Sequence, residues 1–289
     1  MDYAIHIATM ICIYSILAQG LNLCFGLGGL FNLAHAAVYS VGAYTAALLT
    51  VGTSASPIEV ILASILLGAL FSLILGGIAL RLADDYFAIG TLAFSFVVNS
   101  VLVNWRTVTR GVLGIPGIPR PTILGIDLSG NLSFLSFCIF WLITCNALLF
   151  ILFRGRLSRG LRAQSEFEHA ALALGRNTTL IRNISFFIAS CFAGLAGALY
   201  AFFISYIDPN SFNFHQMVFV LTIVIVGKPG SLRGPFFATV FLLLLAESMR
   251  FIPMSPGWIG PLRQILYASI LFLAVALNRS NLFPIQRSI

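Results

Sequence analysis

SFLSFCIFWLITCNALLFILF, residues 133–153, contains no Asp, Glu, Lys or Arg. At a helical rise of about 1.5 Å per residue, such a run crosses the roughly 30 Å hydrocarbon core of a bilayer, and a helix satisfies its own backbone there. Directly after it come Arg154, Arg156, Arg159 and Arg162. Basic residues gather on the cytoplasmic side of membranes, so the run reads as a span whose C-terminal end lies inside.

The rest of the chain repeats this pattern. Of 289 residues, 59% are hydrophobic and only 9% charged, against roughly a quarter charged in soluble domains. Mean hydropathy is +1.00. Apolar runs at 4–25, 29–51, 59–81, 86–105, 133–153, 184–206, 213–227, 235–252 and 263–279 read as spans. The fold expected is an all-α polytopic bundle of about 8–10 spans, some broken or re-entrant, in a single transmembrane domain over 1–289. A net charge of +7 points here to the inner face and lipid headgroups rather than to nucleic acid, because most basic residues fall in one connection. The five cysteines lie in apolar runs without metal-ligand or disulfide-like spacing, and no cleavable signal is evident at the N-terminus.

The connection 154–182 carries Arg154, Arg156, Arg159, Arg162, Arg176 and Arg182 and anchors the orientation. The turns at 81–85 and 228–233 and the tail with Arg279 and Arg287 then fall inside, whereas 52–58, 106–132 and 253–262 fall outside. The loop 106–132 runs against the tendency with Arg106, Arg110 and Arg120. The count places the N-terminus outside.

Two runs are interrupted by glycine: GLGGLFNLAHAAVYSVGAY (26–44) and VGKPGSLRGP (226–235). Such breaks at membrane depth persist where they face a cavity or other protein. Both contain a loose G-x-x-G-x-L spacing, compatible with two related halves or with plain tight turns.

Residues 158–175, SRGLRAQSEFEHAALALG, form the most polar helical stretch. On a helix over 157–174, Leu157, Gly160, Leu161, Gln164, Phe167, Ala171 and Leu174 make a stripe that only Gln164 interrupts. Arg156, Arg159, Arg162, Glu166 and His169 lie off it, with Arg162 and Glu166 at i,i+4 spacing. Gly175 suits a helix C-cap, and Asn177 begins a polar link to the next span. The segment fits either a loop resting on anionic headgroups or a coupling element seated in a cytoplasmic protein.

EHAALALG (168–175) resembles the Glu-Ala-Ala…Gly loop by which ABC importer permeases engage their ATPases, and SRGLRAQSEFEHAALALGRNTT (158–179) is similar to the form in branched-chain amino-acid-type permeases. LAQGLNLCFGLGGLFNLAHAAVYSVGAYTAALL (17–49), DYFAIGTLAFSF (85–96), GIPGIP (114–119), AGLAGALYAFFISYIDPNSF (193–212), GSLRGP (230–235) and ILYASILFLAVALN (265–278) follow in that family's order. The chain most resembles the longer permease subunit of these importers, a family that includes urea and short-chain amide systems. The resemblance implies a bacterial inner-membrane pore completed by a second homologous permease subunit, two cytoplasmic ATPase subunits that hold ATP and Mg, and a periplasmic or extracellular binding protein. It assigns ATPase coupling, on a helix of about 157–175, to Arg159, Arg162, Glu166, Glu168, Ala170, Ala171 and Gly175. The chain departs from the family at Asn32, where Ser is frequent, at Arg110, in place of one of a Gly-Gly pair, and at Lys228 and Pro229, in place of Gly-Leu.

Asn32, His35 and Tyr39 share one helical face and, with Asn99 in a later span, either make interhelical hydrogen bonds or line a path for a small solute. Asp84 and Asp85 stand where carboxylates cap a helix. Arg110 and Asp208 occupy outer connections that a binding protein would face. Neither a metal site nor a catalytic set stands out, and no GxxxxGK[ST] phosphate loop occurs, so ATP hydrolysis would belong to partner chains and this chain would hold no cofactor. The alternative is an ion-gradient-driven secondary transporter or channel. Such a protein places acidic groups within its spans, where Glu247 alone is available.

Overall fold

The computed structural model describes residues 2–53, 55–79, 84–123, 126–249 and 256–277. Residues 81–83 and 253–255 and the tail with Arg279 and Arg287, assigned above to one side or the other, lie outside these, as do the side chains of Asp84 and Asp85. The protein is an all-α polytopic bundle. Its helices are α1 (Asp2–Leu21), α2 (His35–Gly52), α3 (Pro57–Ala79), α4 (Asp84–Asn104), α5 (Arg106–Thr109), α6 (Asn131–Arg154), α7 (Arg156–Glu166), α8 (Glu168–Ala173), α9 (Thr178–Ile204), α10 (Phe214–Val226), α11 (Gly234–Ser248) and α12 (Pro256–Leu277).

Each expected span coincides with a helix, and seven helical runs among the described residues are long and apolar enough to cross a membrane. Helix α10 reaches that length only together with the turn Pro209–Phe212 that precedes it, whereas α11 is a shorter apolar helix of 15 residues. The first run does not end cleanly: α1 continues as a π-helical turn over Asn22–Leu27 before the chain opens at Gly28.

Helix α9 is the central post, packed against α1, α2 and α3. Small residues permit this. A Cβ on Gly68 would lie 2.9 Å from the Ser190 carbonyl, and one on Gly194 would overlap the Ser64 carbonyl, so glycines bring the helices closer than larger residues could. Burial then separates interior from lipid face: the apolar windows of α1 and α9 are 72% buried, those of α4 and α6 only 22%.

Two ends of the bundle follow from long-range contacts. At the far end, the two-residue strands Ile115–Pro116 and Tyr206–Ile207 pair antiparallel, Asn99 Nδ2 donates to the Pro209 carbonyl at 3.2 Å, and Arg120 donates to the Ser129 carbonyl at 2.7 Å. At the opposite, arginine-bearing end lie α7, α8 and both glycine breaks.

One helix over 157–174 does not form. The chain is extended at Phe167 (φ −157°, ψ 92°), which separates α7 from α8. Helix α9 also begins at Thr178, six residues before the span read at 184, because the Asn177 side chain accepts from the Leu180 N–H at 2.9 Å and caps it. Arg182 therefore belongs to a helix rather than to a link.

Candidate functional site

The elbow of α7 and α8 is built around the residue that interrupted the apolar stripe. Gln164 is buried between the Thr178 carbonyl and Arg182 Nε; the donor and acceptor around it fix its amide with the nitrogen toward the carbonyl, at 3.1 Å, and the oxygen toward Nε, at 2.5 Å. Arg182 also holds the Glu168 carboxylate at 2.7 Å. With side chains 12% and 35% exposed, this pair is shielded enough to be worth more than an open surface pair. Gln164, Glu168 and Arg182 thus bind both arms of the elbow to the first turns of α9.

Beneath α7, Leu161 is fully buried. A Cβ on Gly28 would lie 3.2 Å from its side chain, and one on Gly29 3.3 Å from Ser165. The elbow therefore rests on the first glycine break. That break in turn meets the second through Asn22, whose Oδ1 accepts from the Gly230 N–H at 2.9 Å and whose Nδ2 donates to the Ser231 carbonyl at 2.8 Å. Asn22 is the first residue of the π turn, a feature frequent at functional sites.

The residues assigned to coupling divide. Arg159, Arg162, Glu166, Ala170 and Gly175 are exposed, Glu168 is held by Arg182, and Ala171 is buried. Gly175 has φ +74°, and a Cβ there would meet nothing within 4 Å, so backbone conformation alone selects glycine. Beside them Phe167, Leu172 and Leu174 are 48%, 49% and 82% exposed, an apolar tip on a basic elbow.

Asn32, His35 and Tyr39 are all buried. Asn32 Oδ1 accepts from the Ala34 N–H at 3.0 Å, His35 Nε2 lies 3.0 Å from the Leu17 carbonyl, and the Tyr39 ring packs against Tyr200 and Phe212. Asn32 Nδ2, His35 Nδ1 and the Tyr39 hydroxyl have no partner. Asn99 stands apart at the far end, on the Pro209 carbonyl. Asp208 caps the turn Pro209–Phe212 by accepting from the Ser211 N–H at 3.1 Å. Arg110 is exposed, with a left-handed backbone (φ 59°).

A cavity of about 650 Å³ opens between α1, α10, α11 and α12, with His6, Tyr14, Gln216, Glu247, Arg263 and Tyr267 among its lining. A smaller one of about 300 Å³ lies beside Gly227 and Lys228. None of Asn32, His35, Tyr39 and Asn99 lines either. The sequence singled out Glu247 here and missed its neighbours. Arg263, the charge at the head of the last apolar run, was the signal available. Among the described residues no three His, Cys, Asp or Glu side chains converge to hold a metal ion.

Residues 3–275 match the family described as branched-chain amino acid transport system / permease component. The chain is 35% identical over 270 residues to the high-affinity branched-chain amino acid transport system permease protein LivM of Salmonella typhimurium, covering 86% of this chain and 64% of that relative. It is 29% identical over 294 residues to the probable LivM of Methanocaldococcus jannaschii, covering 95% and 81%, and 25% identical over 252 residues to LivH of Escherichia coli, covering 82% and 81%. The chain thus spans under two thirds of the length of the Salmonella relative. No solved structure matches it.

Proposed function

The chain belongs to the branched-chain amino acid transport system permease family, and on that premise we propose that it is one permease subunit of an ATP-driven importer of branched-chain or related hydrophobic amino acids. It forms half of a pore in the bacterial inner membrane. A second homologous permease subunit completes the pore, two cytoplasmic ATPases bearing ATP and Mg drive it, and a periplasmic binding protein delivers the solute. The arginine-bearing end is then cytoplasmic, and Arg110 and Asp208 face the binding protein.

The reading rests on one observation: the elbow carries an exposed apolar tip, is locked to α9 through Gln164, Glu168 and Arg182, and sits on the glycine breaks that join α1 to the α10–α11 hairpin. A force applied at Phe167, Leu172 and Leu174 reaches α9 through an ion pair and α10–α11 through Gly28 and Asn22. Closure of the ATPases on ATP binding moves the elbow and switches the side to which the pore opens, and hydrolysis resets it.

Reconstitution tests this. Proteoliposomes holding the chain with its sister permease and ATPases should accumulate leucine only with ATP on the cytoplasmic side and binding protein on the other. Uptake driven by an ion gradient without ATP, or by the chain as an active homo-oligomer free of ATPases, would assign it to the secondary transporters instead.

A further inference from the structure

The turn that Asn22 grips also carries two cations for which the bundle has no use. Lys228 and Arg233 are exposed, and among the described residues neither side chain enters a hydrogen bond or ion pair. A Cβ on Gly234 would overlap the Gly227 carbonyl, so the two ends of the turn touch. Lys228 and Arg233, the next residues inward from these glycines, therefore spring from neighbouring points. Lys228 does so with a left-handed backbone, φ 66°, which glycine adopts freely and a side chain keeps only at a cost. From Lys228 an apolar cleft of about 300 Å³ runs along α11, past the buried Ala238 to Phe237 and Phe241. Both phenylalanines are exposed, and Leu244 continues their face at the same helical spacing. Phe241 lies about 10 Å along the helix from Gly234. The cleft thus has cations at its mouth, at the arginine-bearing end, and aromatic walls at the depth of acyl chains.

We propose that this cleft seats one anionic phospholipid of the leaflet at the arginine-bearing end, with its phosphate on Lys228 and Arg233 and an acyl chain against Phe237 and Phe241. The inference goes beyond the permease reading and needs only that this end meets the headgroups. Free phosphate would satisfy the cations and leave the aromatic walls uncovered. A zwitterionic lipid brings its own ammonium, which competes with Lys228 and Arg233 for the phosphate. A protein subunit packed on Phe237 and Phe241 would close the cleft and require a carboxylate for Lys228. An anionic amphiphile meets both requirements at once, and basic pockets between membrane helices are where anionic headgroups bind. Bound there, the lipid braces from the membrane the same turn that Asn22 holds from within the bundle.

The test titrates the purified full chain, in lipid-free detergent, with dioleoylphosphatidylglycerol or dioleoylphosphatidylcholine and counts bound lipid by native mass spectrometry. The first phosphatidylglycerol should bind about tenfold or more tightly than the first phosphatidylcholine, since each basic side chain near an anionic headgroup is worth about fivefold. Glycerol 3-phosphate, which lacks acyl chains, should not displace it. Lys228→Gln combined with Arg233→Gln should bring the two lipids to parity, whereas Lys228→Arg should keep the preference. Ala238→Leu, which narrows the cleft and leaves both cations in place, should weaken the first site. Arg156→Gln combined with Arg159→Gln, which removes the same charge from α7, should leave it intact. The comparison of the two lipids needs no variant and stands even where a substitution fails to fold. Equal affinity for the two lipids, displacement by glycerol 3-phosphate, or a preference lost with the α7 pair and kept with the turn pair overturns the proposal. The complex assembled with the sister permease and ATPases should retain the Lys228-dependent lipid; its loss on assembly would give the cleft to a subunit interface and overturn the site while leaving the permease role untouched.

Discussion

Asn22 bridges the two glycine breaks of the chain, accepting from the Gly230 N–H at 2.9 Å and donating to the Ser231 carbonyl at 2.8 Å across 208 and 209 residues of sequence. Both groups belong to a turn that no helical ladder satisfies, so one amide closes a joint that would otherwise leave partly buried backbone unpaired. The two segments that share a glycine spacing are, in space, halves of one contact.

Asn22→Ala removes both hydrogen bonds and leaves the Gly230 N–H and Ser231 carbonyl without a side-chain partner. The expected loss is roughly 2–3 kcal/mol of stability, read as a lower thermal midpoint of the detergent-solubilised chain. An unchanged midpoint would show that water or a shifted turn replaces the amide.

Gly26→Ala should damage the same joint by steric means, since a Cβ there would overlap Asn22 Oδ1 and the Gly230 nitrogen. The variant should lose leucine uptake while still reaching the membrane. Uptake within twofold of the unsubstituted complex, at equal membrane abundance, would mean the joint opens without consequence.

Glu168→Lys places a cation against Arg182, where the present contact is 2.7 Å. Uptake in the reconstituted complex should fall about tenfold or more while ATP hydrolysis persists, because the elbow loses its grip on α9; a loss of this size corresponds to about 1.4 kcal/mol or more. The exchanged pair Glu168→Arg with Arg182→Glu should recover part of it. Equal loss in the single and exchanged variants would assign the effect to something other than this pair.

Arg110 and Lys228 both adopt left-handed backbone, at φ 59° and 66°, and both stand where the family resemblance places glycine. Side chains are disfavoured there by about 1–2 kcal/mol, partly offset by the greater unfolded-state freedom of glycine. Arg110→Gly and Lys228→Gly should each stabilise the chain by about 0.5–1 kcal/mol, whereas Lys228→Ala should not. Thermal denaturation of the three variants checks the difference, and a destabilised Lys228→Gly would point to a contact made by the lysine itself.

His35→Ala removes a fully buried ring that approaches Gly20 and the Leu17 carbonyl. The expected outcome is a stability loss of roughly 2–4 kcal/mol from the space left behind, with leucine affinity unchanged per folded molecule. A shift in solute affinity without loss of stability would place the imidazole on the path instead.

Hydrophobic length and charge sign act residue by residue, so they are legible in sequence: the charge-free run at 133–153, the nine apolar runs that become helices and the basic connection after Arg154 required nothing beyond the chain itself. The break at Phe167 was not legible, because the apolar stripe over 157–174 looks the same on one helix or two. Gln164 looked like a flaw in that stripe until α9, starting at Thr178, brought Arg182 and the Thr178 carbonyl to it. The pairing of Asn22 with Gly230 and the convergence of His6, Gln216, Glu247 and Arg263 on one cavity were likewise decided only by the tertiary structure. A bilayer selects each span on its own apolar content. How the spans pack against one another is fixed instead by glycines that let two backbones touch and by single polar groups, whose partners lie far away in the chain and leave no periodic trace.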